Sequence, residues 1–507
     1  MNDVTNGDKR EAHRMGIETV RIRARSMFQA LPASVHELGH MFETAGEELA
    51  LVGGPVRDAL LGRSSDDLDF TTSARPESTE QILRQWVGKR GAIWDMGREF
   101  GTLGAQLDGV KVEITTYRTE EYDPQSRKPQ VAYGDTIDGD LSRRDFTVNA
   151  MAVRLPSLEF IDPFGGLEDL AAGLLRTPVA PEQSFSDDPL RMMRAVRFAS
   201  TLGFDIEEGT ARAIAALAGR LEIVSAERVR EELVKLMLGD HPRRALEQMV
   251  DLGLAEIILP ELPAMRLEID EHHRHKDVYT HSLTVLEQAI DLETGPEGPV
   301  PGPDFILRFA ALMHDCAKPN TRRYEEGGVV TFRFHEVVGA RMAKARMKAL
   351  KFDKETTKAV AHLIELHLRF HGYADSEWTD SAVRRYVTDA GDQLERLHRL
   401  TRADCTTRNK RKAQRLREAY DDLEKRIAEL AEQEEISKIR PDLDGRAIMQ
   451  ILDLKPGPAV GKAYAYLLEL RMEEGPLGEE EASRRLQEWW AHNGAHESAP
   501  ATRGTSK

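Results

Sequence analysis

From Leu49 onward, short apolar runs alternate with glycine-containing breaks: LALVGG, DLDFTT, TLGAQLDG and VKVEITTYR. Their length and their Val, Ile and Thr content predict strands, with helical stretches between them, so residues 31–178 read as a mixed α/β domain. After Ser186 the period changes. RMMRAVRFASTLGF, TARAIAALAGRL and ERVREELVKLML carry apolar residues at helical spacing, which predicts an all-helical segment over 179–268. A third helical unit spans 269–410 and holds a glycine- and proline-rich loop, GPEGPVPGPD, at 295–304. Residues 410–437 read as a long charged helix. LDGRAIMQILDLKPGPAVG then opens a small helical module, so that 411–491 form a helical body. Residues 1–30 read as a weakly ordered polar arm and 492–507 as a disordered tail.

Composition narrows the function classes. A chain of 507 residues predicts several domains. No apolar run approaches the roughly 20 residues that span a bilayer, and the N-terminus has no apolar segment of the kind a secretory signal needs. Cys316 and Cys405 are the only cysteines, too few for a disulfide framework, which fits a cytoplasmic protein. A formal net charge of −16 argues against indiscriminate coating of nucleic acid. Local basic clusters exist at Arg21–Arg25 (RIRAR) and Arg408–Arg417 (RNKRKAQRLR), although such runs are most often solvated helix faces.

Chemistry concentrates after the first strand. Leu51-Val52-Gly53-Gly54 ends a strand and Pro55 suits a first helical position, so the N–H groups there can approach a phosphate, with Arg57 one turn in. A Gly-Gly turn alone is weak evidence. Asp67-Leu68-Asp69 sharpens it, because residues i and i+2 of a strand share a face. Two facing carboxylates repel unless a cation bridges them, and hard oxygen ligands beside phosphates imply Mg²⁺. In a two-metal site the ions activate an attacking hydroxyl and stabilise the leaving pyrophosphate. A solvated acidic turn, with Asp66 adjoining, is the competing reading. Glu113, in KVEITTYR, could run beside the aspartates and supply a third carboxylate, though exposed strand glutamates are common.

LVGGPVRDALLGRSSDDLDF, LSRRDFTVNAMA, IDPFGGLEDL and DDPLRMMRAVRFA, in that order, resemble successive signatures of the class II tRNA nucleotidyltransferases and bacterial poly(A) polymerases. The resemblance covers residues 49 to about 200 and extends weakly to about 260. It implies a palm-like head followed by a helical neck. It also implies that Gly54, Arg57, Arg144, Asp188, Arg191, Arg194 and Arg197 contact the nucleotide, and that Asp67 and Asp69 hold Mg²⁺. The activity it implies is template-independent addition of C, C and A to tRNA 3′ ends from CTP and ATP, with the tRNA elbow on the neck and body. RNA rather than DNA is then the expected polymer partner. At one point the chain departs from the family pattern: Asp187-Asp188 stands where the family usually has Glu-Asp.

Asp188 and Arg191 have a chemical logic of their own. Three residues apart, they would be neighbours on a helix face. The carboxylate only accepts hydrogen bonds and the guanidinium only donates them. Cytosine and adenine both present an amino donor beside a ring acceptor, whereas uracil and guanine present an oxygen and an N–H. The pair would therefore accept C and A and refuse U and G without a template. On an ideal helix Arg194 sits at the edge of that face. Arg197 falls nearly opposite it, where a structural ion pair is the competing reading. Asp145, following Arg143-Arg144, could orient those arginines while Arg144 reaches the triphosphate.

The third unit carries separate chemistry. His281 lies on an amphipathic helix (VYTHSLTVLEQAI), His314-Asp315 follows another (FILRFAALMHDCAKP), and Asp404 lies in LTRADC. This order resembles the HD superfamily of metal-dependent phosphohydrolases over roughly 270–410, and implies a divalent metal with an open position for water. Lys318 could contact phosphate. His335, His362 and His367 either complete a second metal position or are surface histidines. Rival functions are a poly(A) polymerase, an enzyme adding only CC or only A, and a phosphohydrolase with a nucleotide-binding regulatory head. The C-terminus lacks the basic tail that a processive poly(A) polymerase would use.

Overall fold

The strand-length runs pair into a seven-stranded sheet in a computed structural model that describes residues 16, 18–65, 67–95, 101–121, 130–266, 277–326, 330–372, 378–405, 410–433 and 439–493. The strands are β1 (Leu49–Val52), β2 (Leu68–Thr72), β3 (Ala92–Asp95), β4 (Thr102–Leu107), β5 (Val110–Thr116), a hairpin of β6 (Arg118–Glu121) and β7 (Gln130–Tyr133), then β8 (Ala152–Leu155) and β9 (Glu159–Ile161). Their order across the sheet is β3-β4-β5-β2-β1-β8-β9, with the hairpin outside it. Every neighbouring pair is antiparallel except β2 and β5, which run parallel. A parallel pair needs a crossover. Here it contains the helix Pro76–Val87 with β3 and β4.

The two faces of the sheet differ. Leu68 and Phe70 of β2 are buried while Asp67 and Asp69 are exposed, as strand alternation requires. On the aspartate face, Ala50 and Val52 pack with Tyr117, Ile137, Leu141, Ala150 and Ala152, which seats the short helix Ile137–Ser142 beside the carboxylates. Elsewhere in the domain the helix Ala33–Thr44 packs on Pro76–Val87, where the Trp86 indole donates to the Ser34 carbonyl at 2.8 Å.

The chain divides into two compact units, residues 1–263 and 264–507. The first continues past the sheet through the helices Pro181–Asp187, Leu190–Leu202, Glu208–Leu217, Ala226–Met237 and Pro242–Asp251. One two-residue parallel pair, β10 (Leu174–Leu175) with β11 (Asp205–Ile206), joins the end of the head segment to this helical part. Among the described residues, the second unit is helical apart from a short hairpin, β12 (Arg323–Tyr324) with β13 (Val330–Thr331). Its helices include Val278–Asp291, Phe305–Met313, His335–Ala349, Lys354–Leu366, Leu394–Asp404 and Lys410–Gln433. Gly445–Leu452, Pro458–Glu474 and Glu479–Asn493 follow as the terminal module. Aspartates at 277, 304, 353 and 444 cap four of its helices by accepting backbone N–H bonds. The proline-rich 295–304 segment is the loop its composition predicts.

The reading of 1–30 as a weakly ordered arm is corrected in part. Residues 18–29 are helical, and Ala24 and Phe28 are buried, which anchors that helix through two residues in a mostly polar stretch. Residues 1–15, Asp66, residues 408–409 of the second basic cluster and residues 494–507 lie outside the described residues. Among the described residues, no helix is long and apolar enough to cross a membrane.

Candidate active sites

The parallel pairing of β2 with β5 builds the first site. It sets Asp69 opposite Glu113 in register, so Asp67, Asp69 and Glu113 share one face. Lys111 pairs with Glu113 at 2.9 Å. Desolvation within the site and the Glu113 and Asp67 carboxylates hold Asp69 above the usual carboxylate range, against the pull of Arg144 and Lys111. A bound divalent cation would relieve that repulsion, so the three carboxylates fit one.

Asp69 and Glu113 line a cavity of about 450 Å³ together with Thr102, Arg118, Arg143, Arg144, Asp145, Asp188, Arg191, Arg194 and Arg228. The arginines are oriented from beneath. Buried Asp140 accepts from Arg143 at 3.1 Å, pairs with Arg144 at 3.5 Å and is itself held by Thr71 at 3.0 Å. Burial opposes its charge, but the two guanidiniums outweigh burial and lower its pKa. Asp145 performs the same service for Arg194, with Nη2 at 2.6 Å. Burial again opposes its charge, yet Arg194, Asn149 and the Phe146 N–H bring Asp145 down to about 2. Asp145 thus orients Arg194, and Asp140, which the sequence reading did not consider, orients Arg143 and Arg144.

At the glycine turn, Gly53 has φ +73 and leads into the helix Gly54–Leu60, with Pro55 in its first turn. The positive φ favours glycine there, and the Arg144 guanidinium lies 3.0 Å from where a Cβ would stand. Arg57 turns inward to Asn149 at 2.7 Å and Asp58 at 2.8 Å, stacks 5.2 Å from the Phe198 ring, and does not line the cavity; nor does Gly54.

Asp188 and Arg191 both line the cavity, but not as neighbours on one helix. Asp188 is extended (φ −136, ψ 98) between the helices Pro181–Asp187 and Leu190–Leu202, because Pro189 starts the second helix and disfavours helical geometry before it. Its Oδ1 accepts from the Leu190 N–H at 3.1 Å, and its Oδ2 from Arg228 at 3.1 Å. Arg191 is buried and donates to Ser184 Oγ at 2.8 Å and to the Arg143 carbonyl. Arg197 pairs with buried Glu232 at 2.5 Å and stacks 3.7 Å from the Phe198 ring, away from the cavity lining.

The second unit holds the other site. His281 comes from the helix Val278–Asp291, His314 and Asp315 directly follow Phe305–Met313, and Asp404 ends Leu394–Asp404. His281 Nε2 lies 2.9 Å from Asp404 and 3.5 Å from Asp315, and His314 Nε2 lies 3.2 Å from Asp315 and 3.5 Å from Asp404. Two further histidines converge on the opposite oxygen of Asp315, His335 at 3.2 Å and His367 at 3.9 Å. His362 instead bonds the Asp389 carbonyl at 2.6 Å and stays outside the cluster. Asp315 therefore belongs to two groups that could each hold a cation, one with His281 and His314, one with His335 and His367.

The ring nitrogens fit that use. Nδ1 of His314, His335 and His367 bonds the carbonyl three residues back, Ala311, Phe332 and Ile364, at 2.6–2.8 Å. These bonds hold a proton on Nδ1 of each ring and turn Nε2 toward the Asp315 carboxylate, as the atom that would meet a cation. Nε2 of all three, and Oδ1 of Asp315, are buried without a hydrogen-bond partner, which a coordinated cation would repair. Burial opposes charge on His314, but Asp315 and Asp404 overcome it and raise His314 to about 10. Burial and the nearby His314 push His367 down to about 3. Lys318 donates to Asp315 at 2.6 Å. Cys316 is buried and Cys405 half-buried.

Three family models match the chain: the poly A polymerase head domain over residues 49–176, a probable RNA and SrmB-binding site of polymerase A over 203–265, and the HD domain over 278–436. The A-adding tRNA nucleotidyltransferase of Deinococcus radiodurans is 32% identical over 450 residues, which cover 87% of this chain and 95% of that protein. The chain belongs to the tRNA nucleotidyltransferase and poly(A) polymerase family. Another relative in this family, the CCA-adding enzyme of Streptococcus thermophilus, is 33% identical over 87% of the chain and 92% of its own length. The crystal structure of the Bacillus stearothermophilus CCA-adding enzyme in complex with CTP shares the fold, with a TM-score of 0.65 over 91% of this chain and 98% of that one at 24% identity. The protein is thus a nucleotidyltransferase with a mixed-sheet head, followed by mostly helical domains.

Within this nucleotidyltransferase, sequence reasoning passed over Asp140, Arg228 and Glu232. Asp140 had a usable signal, since it stands three and four residues before Arg143 and Arg144. Arg228 and Glu232 had none, because their partners are 40 residues away or dispersed.

Proposed function

We propose that the head adds C, C and A in turn to tRNA 3′ ends, using CTP and ATP, with Mg²⁺ on Asp67, Asp69 and Glu113. The observation that carries this reading is the cavity that unites Asp69 and Glu113 with Asp188 and Arg191, a complementary acceptor and donor for a base. When bound, Mg²⁺ supplies the charge that activates the 3′-hydroxyl and stabilises the departing pyrophosphate. Arg144 and Arg194, aimed into the cavity by Asp140 and Asp145, would bind the triphosphate. The cytoplasm, where tRNA and reduced cysteines coexist, is the proposed compartment. The A-adding relative defines the alternative within the family. The deciding experiment offers tRNA transcripts ending before CCA, after C and after CC, with each NTP separately. Full CCA addition extends the first two with C and the third with A; extension of the third alone would replace it with A-only addition.

A second reading concerns the histidine cluster, which we propose holds divalent metal and hydrolyses phosphate esters at RNA ends. The partnerless Nε2 atoms favour it.

Arg197 is expected to affect stability rather than choice of nucleotide. Arg197→Ala strips a partner from buried Glu232 and should cost about 3 kcal/mol. Chemical denaturation measures that loss, while the ratio of CTP to UTP efficiencies should stay at the wild-type value.

A further inference from the structure

Asp188 is not locked by helical geometry, so its carboxylate direction depends on what its two oxygens bond. Oδ1 is fixed locally by the Leu190 N–H at 3.1 Å. Oδ2 is fixed from 40 residues away by Arg228 Nη2, also at 3.1 Å. Arg228 stands in the first turn of the helix Ala226–Met237, whose start is capped by Ser225 Oγ accepting the Arg228 N–H. A second anchor from the same part of the chain, Arg220, donates to the Ser186 carbonyl at 3.0 Å, so the 186–188 junction is held at both its ends. Arg228 is 54% exposed yet lines the same cavity as Asp188, Arg191 and Asp69.

We infer that Arg228 is a specificity-positioning residue for nucleotide choice; this rests on the reading that Asp188 accepts the amino group of C or A. Its effect is twofold. It orients Asp188 so that the remaining lone pairs of the carboxylate face the cavity, since each carboxylate oxygen can accept more than one bond. It also commits one of its own donors, Nη2, to the Asp188 carboxylate. A guanidinium freed at that point would donate to O4 of uracil or O6 of guanine, the groups that Asp188 repels. The Asp188–Arg228 pair thus presents an acceptor and withholds a donor at one position. Specificity then comes from a masked attraction as well as from a repulsion.

The consequence is a non-additive mutant series. Asp188→Ala should raise relative use of UTP and GTP, both because the repelling carboxylate is gone and because Arg228 is released. Adding Arg228→Ala to Asp188→Ala should then lower UTP use again, by about fivefold or more, while the two single changes would each degrade selectivity. Arg228→Ala alone should reduce the CTP-to-UTP efficiency ratio about tenfold, with Arg228→Lys recovering most of it. The measurement is kcat and KM for each NTP on tRNA ending before CCA and after CC, with far-UV circular dichroism and a melting curve for every variant. Should Arg228→Ala fold poorly, Arg228→Gln replaces it and removes the charge while keeping bulk. A uniform rate loss in Arg228→Ala and Arg228→Gln with unchanged ratios, while Asp188→Ala does shift them, overturns the role of Arg228 alone. Unchanged ratios in Asp188→Ala would instead overturn the base-reading assignment on which it rests.

Discussion

Asp69→Ala is expected to reduce nucleotide addition by about a thousandfold or more, equivalent to roughly 4 kcal/mol of transition-state stabilisation. Asp67→Ala should behave alike. Asp69 sits in register with Glu113 on the parallel strand pair, and its carboxyl is raised by desolvation, by that neighbour and by Asp67. In the absence of metal these groups repel one another, so removing one should leave the fold intact and the melting temperature equal or slightly higher. That combination, lost chemistry with undiminished stability, separates a metal-holding role from a structural one. It is read by single-turnover incorporation over a Mg²⁺ titration, alongside calorimetry. Substantial Mg²⁺-dependent incorporation by either variant would remove the assignment.

The second large effect is expected at Asp315. Both groups of the histidine cluster include it, so Asp315→Ala should abolish divalent-metal binding and any hydrolysis of 2′,3′-cyclic or terminal phosphates. His314→Ala should do nearly the same. His335→Ala and His367→Ala should each remove only part of the bound metal, because they reach only the other oxygen of Asp315. Metal uptake has to expel a proton from His314, held up at about 10 by Asp315 and Asp404 despite burial. Apparent affinity should therefore rise with pH across the neutral range, with proton release visible by titration calorimetry in buffers of different ionisation enthalpy. Nucleotide addition should survive all four changes, since the residues lining the head cavity all precede residue 263. A protein that takes up no metal and hydrolyses neither substrate would mark the cluster as vestigial.

How much of this was legible in the sequence depended on the range of the interactions. The strand runs, the face shared by Asp67 and Asp69, and the helices carrying His281 and Asp404 are set by periodicities of two and 3.6 residues, which a linear reading captures. The Asp188–Arg191 geometry was misread because spacing of three implies a helix only if the helix includes both ends. Pro189 starts its own helix and leaves Asp188 outside. His335 and His367 carried no local mark that separated them from His362; only the fold turns two of the three toward Asp315. Arg57 and Arg197 illustrate the converse, arginines in motif positions whose guanidiniums pack on Phe198 and buried polar groups instead of the cavity.

The one parallel pair in an otherwise antiparallel sheet has a consequence for biogenesis. Asp69 and Glu113 are 44 residues apart, and the intervening chain must complete a helix and two strands before they meet. Contacts of such sequence separation form late, because loop closure has to precede the stabilisation they bring. A head still emerging from the ribosome, or one clipped between β2 and β5, carries Asp67 and Asp69 without their third carboxylate. On the proposal that all three carboxylates hold the metal, the site is complete only once β5 has docked beside β2.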